Sequence, residues 1–372
     1  MKKISVEELS KRERLNQRRR RRYLARRPVV KVKLRYRRGH RSTQEHVEPV
    51  YIEAPPVFSL TENYSESVKC LQRLKEAVFR VELADEEKRP IFLDLATIEH
   101  LHPAAAVVLA AELDRWRRVK GVRLQPRNLQ QWKMEVKQLV SDMGMFDLLN
   151  VRKKHLRDIP SARNNNVALR FVSDDRNDRE QTDMLSEELV RKVPVFARKL
   201  TTREDMALST ALAEASLNSV QHAYEKDELK YPSAGQRWWA AAVYESNRSV
   251  VKFFVYDQGV GIPQTLPNTP VGKKILNRLF GSEVYARYSG SDESKMIEAA
   301  LKGGFSSTEM GNRGKGFPQI VAAISNAGGR LRVISGHGSA IYSNEDGPSA
   351  GETNELHLGG TLLEWTFKVG EM

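Results

Sequence analysis

The stretch EASLNSVQHA, residues 214–223, carries a carboxylate, a carboxamide and an imidazole at intervals of four residues. On an α-helix this spacing places Glu214, Asn218 and His222 on one face. An adjoining apolar stripe follows the i, i+3, i+4, i+7 spacing of a core-facing helix: Leu208, Ala211, Leu212 and Ala215. The pattern predicts a helix that is held against a core and presents a rigid polar row to a cavity.

Two glycine-containing segments follow this helix in the chain. DQGVGI begins at Asp257, directly after the strand-like run VVKFFVY, and GNRGKGF begins at Gly311, directly before the apolar run FPQIVAAI. A carboxylate at a strand end can accept a hydrogen bond from an exocyclic amine such as that of adenine. Glycines before a helix let backbone N–H groups face phosphates, and Lys315 adds a positive charge. The combined segments predict a nucleotide pocket.

The order and spacing of these motifs resemble the boxes of the GHKL (Bergerat-fold) ATPases over about residues 165 to 370. The matching positions are Glu214, Asn218, Asp257-x-Gly259-x-Gly261, Gly311-x-x-Gly314-x-Gly316 and Gly360-Thr361. Within that superfamily, ALAEASLNSVQHAYE is most similar to the bacterial anti-sigma-factor kinases and related histidine-kinase-like ATPase domains. The resemblance implies ATP and Mg²⁺ as ligands.

The resemblance also implies a role for each matching residue. Asn218 would coordinate the magnesium ion, and Glu214 would orient or deprotonate the attacking water or substrate hydroxyl. Asp257 would bind the adenine amine, supported by Thr361 through a water molecule. The residues implied to let the base approach the backbone are Gly259 and Gly261. The residues implied to line the phosphate side are Gly311, Arg313, Gly314, Lys315 and Gly316.

Two of these positions keep alternative interpretations. A single histidine on a helix, such as His222, is more often a structural residue than a catalyst, and its role stays undecided. Lys315 is equally compatible with a loop cap, because many GHKL relatives have leucine or a similar residue there.

The positive charge is concentrated at one end of the chain. Residues 1–41 hold 18 Lys+Arg against 3 Asp+Glu, a net charge of +15, whereas the whole chain carries +14, which leaves −1 for the remainder. Such a segment cannot bury enough apolar surface to fold alone, so we expect residues 1–56 to form a largely disordered basic arm. The arm would attract nucleic acid or another anionic partner, and a solvated tail without a partner remains the alternative.

Several classes of protein are excluded by composition. No apolar run reaches the eighteen residues that a membrane helix needs, the longest being AAAVVLAA at 104–111. The single cysteine, Cys70, rules out an internal disulfide and fits a reducing cytoplasm. The histidines show no zinc-ligand spacing beyond His100-x-His102, which lacks cysteine partners. We therefore expect a soluble, cytoplasmic protein without a zinc site.

The block at 57–151 alternates strand-like and helix-like segments, which predicts a small α/β domain. Its predicted elements are the strand PIFLDLATI, the helix PAAAVVLAAELDRWRR, the strand GVRLQP and the helix LQQWKMEVKQLVSDMG. The order resembles the STAS domains that partner anti-sigma kinases. At the helix opening where those domains often carry a phosphorylatable serine, this chain has His102 to Ala105, so the resemblance favours a structural, dimerising or protein-binding role without a phospho-switch.

After a linker at 152–166, residues 167–372 are expected to form a two-layer α/β sandwich of the GHKL type. VALRFV would begin its sheet, TDMLSEELVRKVPVFARKL would form its first long helix, and the runs around 238–257 would form a hairpin. The segment 263–310 would hold a mobile lid with helical spacing in SDESKMIEAALKGG, followed by Ser306, Ser307 and Thr308.

Three functions fit this organisation. The first is a Mg²⁺-dependent ATPase that acts as a regulatory switch, and for it Glu214 is decisive. The second is a protein serine/threonine kinase of the anti-sigma-factor type, which needs the same contacts to ATP and an open path to a foreign hydroxyl. The third is a nucleic-acid-associated ATPase or scaffold that docks through its basic arm.

Overall fold

The computed structural model describes residues 49–80, 91–121, 124–152, 155–160, 166–176, 179–199, 201–224, 229, 231–268, 270–280, 293–303, 320–322, 324–325 and 329–369. Three predicted features lie outside the described residues. These are residues 1–48 of the predicted arm, the glycine cluster at 311–316 and the hydroxyl-rich part of the predicted lid at 304–310. The arm was expected to be disordered up to residue 56, and this is wrong at its end, because Val50–Glu53 form a strand that pairs with Ile91–Asp94.

The first part of the fold, the N-terminal block at 49–160, combines short parallel strands with helices. One sheet has the order β1-β3-β5, and β2 pairs with β4. Its strands are β1 (Val50–Glu53), β2 (Val57–Phe58), β3 (Ile91–Asp94), β4 (His100–Leu101) and β5 (Gln125–Arg127). Its helices are α1 (Tyr64–Arg80), α2 (Pro103–Val119) and α3 (Met134–Asp142). The predicted strand in PIFLDLATI is confirmed by β3 and the proline-opened helix by α2. Among the described residues of GVRLQP, only Gln125 and Pro126 belong to a strand, β5.

Helix α2 begins where the sequence predicted, because Pro103 occupies its first turn and needs no hydrogen-bonded N–H there. His102 caps it: the Ala104 N–H donates to the Nδ1 atom of His102 over 3.3 Å. Burial lowers the pKa of His102 to about 3, so its imidazole is neutral and Nδ1 can accept.

Helix α3 is shorter than predicted. Leu129–Gln131 form a separate 3₁₀ turn, and Trp132 and Lys133 are extended, so the helix proper begins at Met134. The indole N–H of Trp132 donates to the carbonyl of Arg127 over 2.9 Å, which holds the turn in place. The predicted stop is confirmed, since Gly144 has φ +76°, a left-handed conformation that glycine adopts without strain.

The second part, the C-terminal block at 166–369, is built on an eight-stranded sheet with the order β12-β11-β10-β13-β9-β8-β6, and β7 also pairs with β8. Its strands are β6 (Val167–Ala168), β7 (Val172–Asp174), β8 (Trp238–Glu245), β9 (Val250–Asp257), β10 (Arg330–Ser335), β11 (Gly338–Ser343), β12 (Gly347–Ala350) and β13 (Thr361–Lys368). All pairs in this sheet are antiparallel. The fold as a whole is therefore mixed α/β.

The helices of this block are α4 (Arg179–Lys192), α5 (Pro194–Lys199), α6 (Thr202–His222), α7 (Ile262–Thr265), α8 (Pro270–Phe280) and α9 (Glu293–Gly303). The hairpin around 238–257 is confirmed, with a 3₁₀ turn at Ser246–Arg248 between β8 and β9. The helical spacing predicted in SDESKMIEAALKGG is confirmed by α9. Across the described ranges, no helix combines the length and the apolar character that crossing a membrane requires.

Two predictions for this block need correction. The first long helix is divided into α4 and α5 at Pro194, because proline offers no N–H to continue the helical hydrogen bonds. VALRFV does join the sheet, but as the short strands β6 and β7 on either side of Leu169–Phe171, both paired with β8.

The central strands β8 and β9 of the sheet are buried on both faces. On one face Trp238, Ala240 and Ala242 pack with residues of α4, α6 and α9. On the other face Trp239, Ala241 and Val243 pack in the same core as the N-terminal block. Alternating residues of a strand point to opposite faces, so a continuously apolar strand such as β8 must be covered on both. Residues Glu48–Met372 accordingly form one compact unit, with the sheet between two helical layers.

Candidate functional site

Helix α6 carries the polar row that the sequence predicted. A capping box starts it: the N–H of Glu204 donates to Thr201 Oγ1 over 3.2 Å, and the Thr201 N–H donates to Glu204 Oε2 over 2.7 Å. The predicted apolar stripe is buried: Leu208, Ala211, Leu212 and Ala215. The helix is thus fixed at its start and along one side, and the position of its polar row is rigidly set.

The carboxylate of Asp257 lies where β9 ends and faces α6. Ser219 Oγ donates to Asp257 Oδ2 over 3.2 Å, while the backbone N–H groups of Gly259 and Thr361 donate to Oδ1 over 3.0 and 3.2 Å. The residue is only 5% exposed. Burial raises the pKa of Asp257 to about 6, because the cost of desolvating the charge exceeds the stabilisation from the three donors.

The turn after β9 is pressed against the end of α6. The N–H of Val260 donates to the carbonyl of Ala223 over 2.9 Å. A Cβ atom on Gly259 would overlap that same carbonyl, so only glycine lets the turn approach so closely. Gly261 has φ +96° and lies against the Ser335 hydroxyl, which accepts a 2.8 Å hydrogen bond from the Ile262 N–H. The two glycines therefore fix the position of Asp257 relative to α6.

Strand β13 contacts the Asp257 carboxylate as well as α6 does. Thr361 pairs with Asp257 in the sheet register, and its hydroxyl lies 2.8 Å from that of Ser335. Gly360 has φ +144°, and a side chain there would overlap the carbonyl of Asp257. The predicted pair Gly360-Thr361 is thus in direct contact with the predicted Asp257.

Glu214 and Asn218 occupy the same side of α6, both half-buried, and Asn218 precedes the serine that contacts Asp257. The Nδ2 atom of Asn218 is buried and has no hydrogen-bond partner within the described part of the chain. A buried amide nitrogen without a partner is costly, and a polar ligand at this position would satisfy it. His222, at the last position of α6, is exposed.

The phosphate side of the predicted pocket is not part of this geometry. Gly311, Arg313, Gly314, Lys315 and Gly316 all fall outside the described residues. In the ranges that the structure does describe, no three His, Cys, Asp or Glu side chains form a group able to hold a metal ion. A magnesium ion at Asn218 would thus rely on the carboxamide oxygen, the phosphates and water for its ligands.

Sequence reasoning missed three hydroxyl groups of the site. Ser219 and Ser335 contact Asp257 and Thr361 as described above, and the Tyr224 hydroxyl accepts a 3.1 Å hydrogen bond from the Gln258 N–H while donating to the Arg237 carbonyl. Ser219 follows Asn218 directly in the quoted motif, so a hydroxyl group adjacent to the polar row was a usable signal. Ser335 and Tyr224 gave none, because their contacts depend on distant parts of the chain.

Comparison with known proteins adds no family to this description: no protein-family model matches the chain, and a search of curated proteins finds no match.

Proposed function

We propose that the protein binds ATP with Mg²⁺ and acts as an ATP-hydrolysing regulatory switch. The single observation that carries this proposal is the buried carboxylate of Asp257, which is bonded by Ser219 of α6 and by Thr361 of β13; α6 also carries the half-buried Glu214 and Asn218. The resemblance to GHKL ATPases was drawn from separated motifs, and segments of three of them meet at Asp257: helix α6 through Ser219, the turn with Gly259, and Thr361 of the pair Gly360-Thr361. That convergence supports the resemblance.

Asp257 is suited to recognise an adenine amine. Its Oδ2 atom accepts one hydrogen bond, from Ser219, and a carboxylate oxygen has room for a second. The burial of the group strengthens any hydrogen bond that it accepts, because there is little water to compete. Thr361 is 8% exposed; its hydroxyl lies 2.8 Å from that of Ser335, and its backbone N–H donates to the same carboxylate. A bridging water between Thr361 and the base would complete the contact.

Asn218 and Glu214 are placed one and two helical turns from the His222 end of α6. The carboxamide oxygen of Asn218 would face Mg²⁺, and its unpartnered Nδ2–H group would donate to a phosphate oxygen. Bound Mg²⁺-ATP supplies a transferable γ-phosphoryl group whose charge the metal neutralises. Glu214 would hold the attacking water and accept its proton.

The test is calorimetric titration of the full chain with ATP, with and without Mg²⁺, followed by a phosphate-release assay. Asp257→Asn replaces an acceptor by a donor and should weaken adenine-nucleotide binding at least tenfold, as expected when a buried hydrogen bond to a charged group is lost. The matched control is Asp346→Asn, an exposed aspartate whose hydrogen bonds within the described part of the chain are local ones with Ser343 Oγ. Absence of heat on adding ATP would refute the proposal.

Radiolabelled ATP separates this function from the kinase alternative. Release of labelled phosphate from the purified protein alone indicates hydrolysis. Label that appears only on an added protein substrate would assign the same site to phosphoryl transfer.

A further inference from the structure

The parallel sheet of the N-terminal block, β1-β3-β5, has one covered and one open face. On the covered face Ile52, Ile91 and Leu93 are buried in the core that α1 and α2 share. The alternate side chains form the open face: Tyr51, Glu53, Phe92, Gln125 and Arg127. Four of the five are exposed, and Phe92 is half-buried. Parallel sheets are almost always covered on both faces, so the open face is a candidate binding surface.

Two aromatic rings lie side by side on the open face. Tyr51 and Phe92 are partners in the sheet register, and their ring centres are 5.5 Å apart with 24° between the ring planes. Tyr51 is 44% exposed, and it is the one exposed aromatic side chain among the residues that the structure describes. A tyrosine at such a position is typical of a binding surface, because it offers a large flat area at a low cost in conformational entropy.

Arg127 extends the flat surface of the rings. Its guanidinium carbon lies 4.1 Å from the centre of the Tyr51 ring. The residue is exposed, and its side chain forms no ion pair with any other residue that the structure describes. A guanidinium that stacks on an aromatic ring keeps its N–H groups available around its edge. Tyr51 and Arg127 together therefore offer a flat surface bordered by hydrogen-bond donors.

The strands of this sheet place little negative charge on the open face. Asp94 is buried, and its carboxylate accepts hydrogen bonds from the Ala96 N–H and from Asn128. Glu53 is exposed, but it lies two residues beyond Tyr51, which is about 7 Å along the strand. The rings and Arg127 can therefore meet a phosphate-bearing partner without direct repulsion.

Chain connectivity links the open face to the positive end of the protein. Residues 1–41 carry a net charge of +15, and Arg41 precedes Tyr51 by ten residues. Ten residues span at most about 35 Å, so this charged segment is tethered within that distance of the rings. A partner that carries both phosphates and flat rings matches the two features together. The charge attracts the phosphates of any sequence, and the open face receives the bases.

We propose that the open face of β1-β3-β5 binds single-stranded nucleic acid, with bases stacked on Tyr51 and Arg127 and with Phe92 supporting the tyrosine ring. Every base has a π face, so such stacking accepts any sequence. Three strands about 4.8 Å apart span about 10 Å, which is room for about one or two bases. None of these residues belongs to the candidate nucleotide site, and the proposal does not depend on ATP binding.

The test measures the fluorescence anisotropy of labelled oligouridine and labelled oligothymidine, each titrated with the full chain at several salt concentrations and without ATP. Comparing the two probes distinguishes RNA from DNA, and at least one of them should bind. A labelled duplex reports the attraction to the arm alone, because its bases are already stacked on one another.

Tyr51→Thr removes the ring and keeps a residue suited to a strand. Its affinity for the single strand should fall about tenfold, as expected for the loss of base stacking. The slope of log affinity against log salt should not change, since no phosphate contact is lost, and duplex binding should not change either. Tyr51→Phe keeps the ring and should bind like the wild type. The control Met206→Ala alters a side chain that is 67% exposed on α6 and should leave the affinity unchanged.

Arg127→Lys is the second variant, and it decides the matter if the melting temperature shows that Tyr51→Thr does not fold. It keeps the charge and loses the flat guanidinium, so affinity should fall about threefold at an unchanged salt slope. Wild-type affinity for the single strand in the folded variants would overturn the proposal, because the arm alone would then explain binding. Failure of both single strands to bind at low salt would overturn it as well. So would sedimentation that shows a wild-type dimer and a Tyr51→Thr monomer, since a second copy would then cover the face.

Discussion

The indole Nε1 of Trp239 on β8 donates a 3.1 Å hydrogen bond to Oδ2 of Asp114 on α2, and both residues are buried. Asp114 also pairs with Arg118 over 2.8 Å and with Arg117. These ion pairs, together with the hydrogen bond, hold the pKa of Asp114 below its ordinary value despite its burial. The contact joins the N-terminal block to the central sheet through a charged group that stays ionised.

Trp239→Phe should lower the free energy of unfolding by about 2 kcal/mol, because it leaves a buried carboxylate one donor short. Denaturant unfolding followed by circular dichroism measures this. The matched control is Trp132→Phe, where the lost indole donor served only the Arg127 carbonyl within the N-terminal block. We expect the control to cost about 1 kcal/mol, since a neutral hydrogen bond is worth less. An unchanged midpoint for Trp239→Phe would show that the contact does not secure the two blocks.

Gly259→Ala should unfold the turn that positions Asp257. The new methyl group would overlap the backbone of Ala223, which cannot move without displacing the end of α6. The expected loss of stability is about 3 kcal/mol or more, accompanied by loss of ATP binding. The control Gly121→Ala separates steric overlap from backbone strain, because Gly121 has φ +66° but nothing within 4 Å of its added Cβ. It should cost only about 1 to 2 kcal/mol, and equal costs at both positions would contradict the argument.

The pKa of Asp257 predicts how stability depends on pH. Its pKa is raised from 3.8 to about 6 in the folded protein, so the native state binds a proton more tightly than the unfolded chain. The stability contributed by this group is therefore greatest below about pH 4 and falls as pH rises to about 6, a change of about 3 kcal/mol. Subtracting the profile of Asp257→Asn from that of the wild type isolates this contribution. A difference profile that is flat between pH 4 and 6 would contradict the prediction.

Glu214→Ala tests the proposed base. The change should abolish phosphate release while leaving the affinity for ATP within about threefold, because the proton acceptor is needed for the reaction and contributes little to binding. Phosphate release is measured at saturating ATP, and affinity by calorimetry. The conservative variant Glu214→Gln should behave in the same way, since it keeps the size and removes the acceptor of the proton. Turnover that survives both changes would remove Glu214 from the mechanism.

Much of the core of the site could be predicted from local patterns. The apolar stripe of α6 fixed which side of the helix is buried, and the apolar strand before Asp257 fixed where its carboxylate emerges. Both patterns depend only on the period of a helix or a strand, which the sequence displays directly.

The packing of the N-terminal block on the second face of the sheet was not predicted. The apolar sequences of β8 and β9 nevertheless indicated that both faces of these strands are buried. A strand that is apolar at every position is buried on both faces, yet the sequence does not say which segment provides the second cover. The helical spacing on either side of Pro194 favours one continuous helix, whereas the proline itself predicts the break that the structure shows.

The sheet with two covered faces limits how the chain can be cut. A fragment that begins near residue 166 would expose Trp239, Phe254 and Tyr256 to water, each of which is fully buried in the whole protein. Apolar patches of that kind drive self-association, so we expect such a fragment to precipitate even if the surroundings of Asp257 stay intact. The N-terminal block thus keeps the second face of the sheet away from water. Substitutions along α2 must therefore preserve its packing against Trp239, Phe254 and Tyr256.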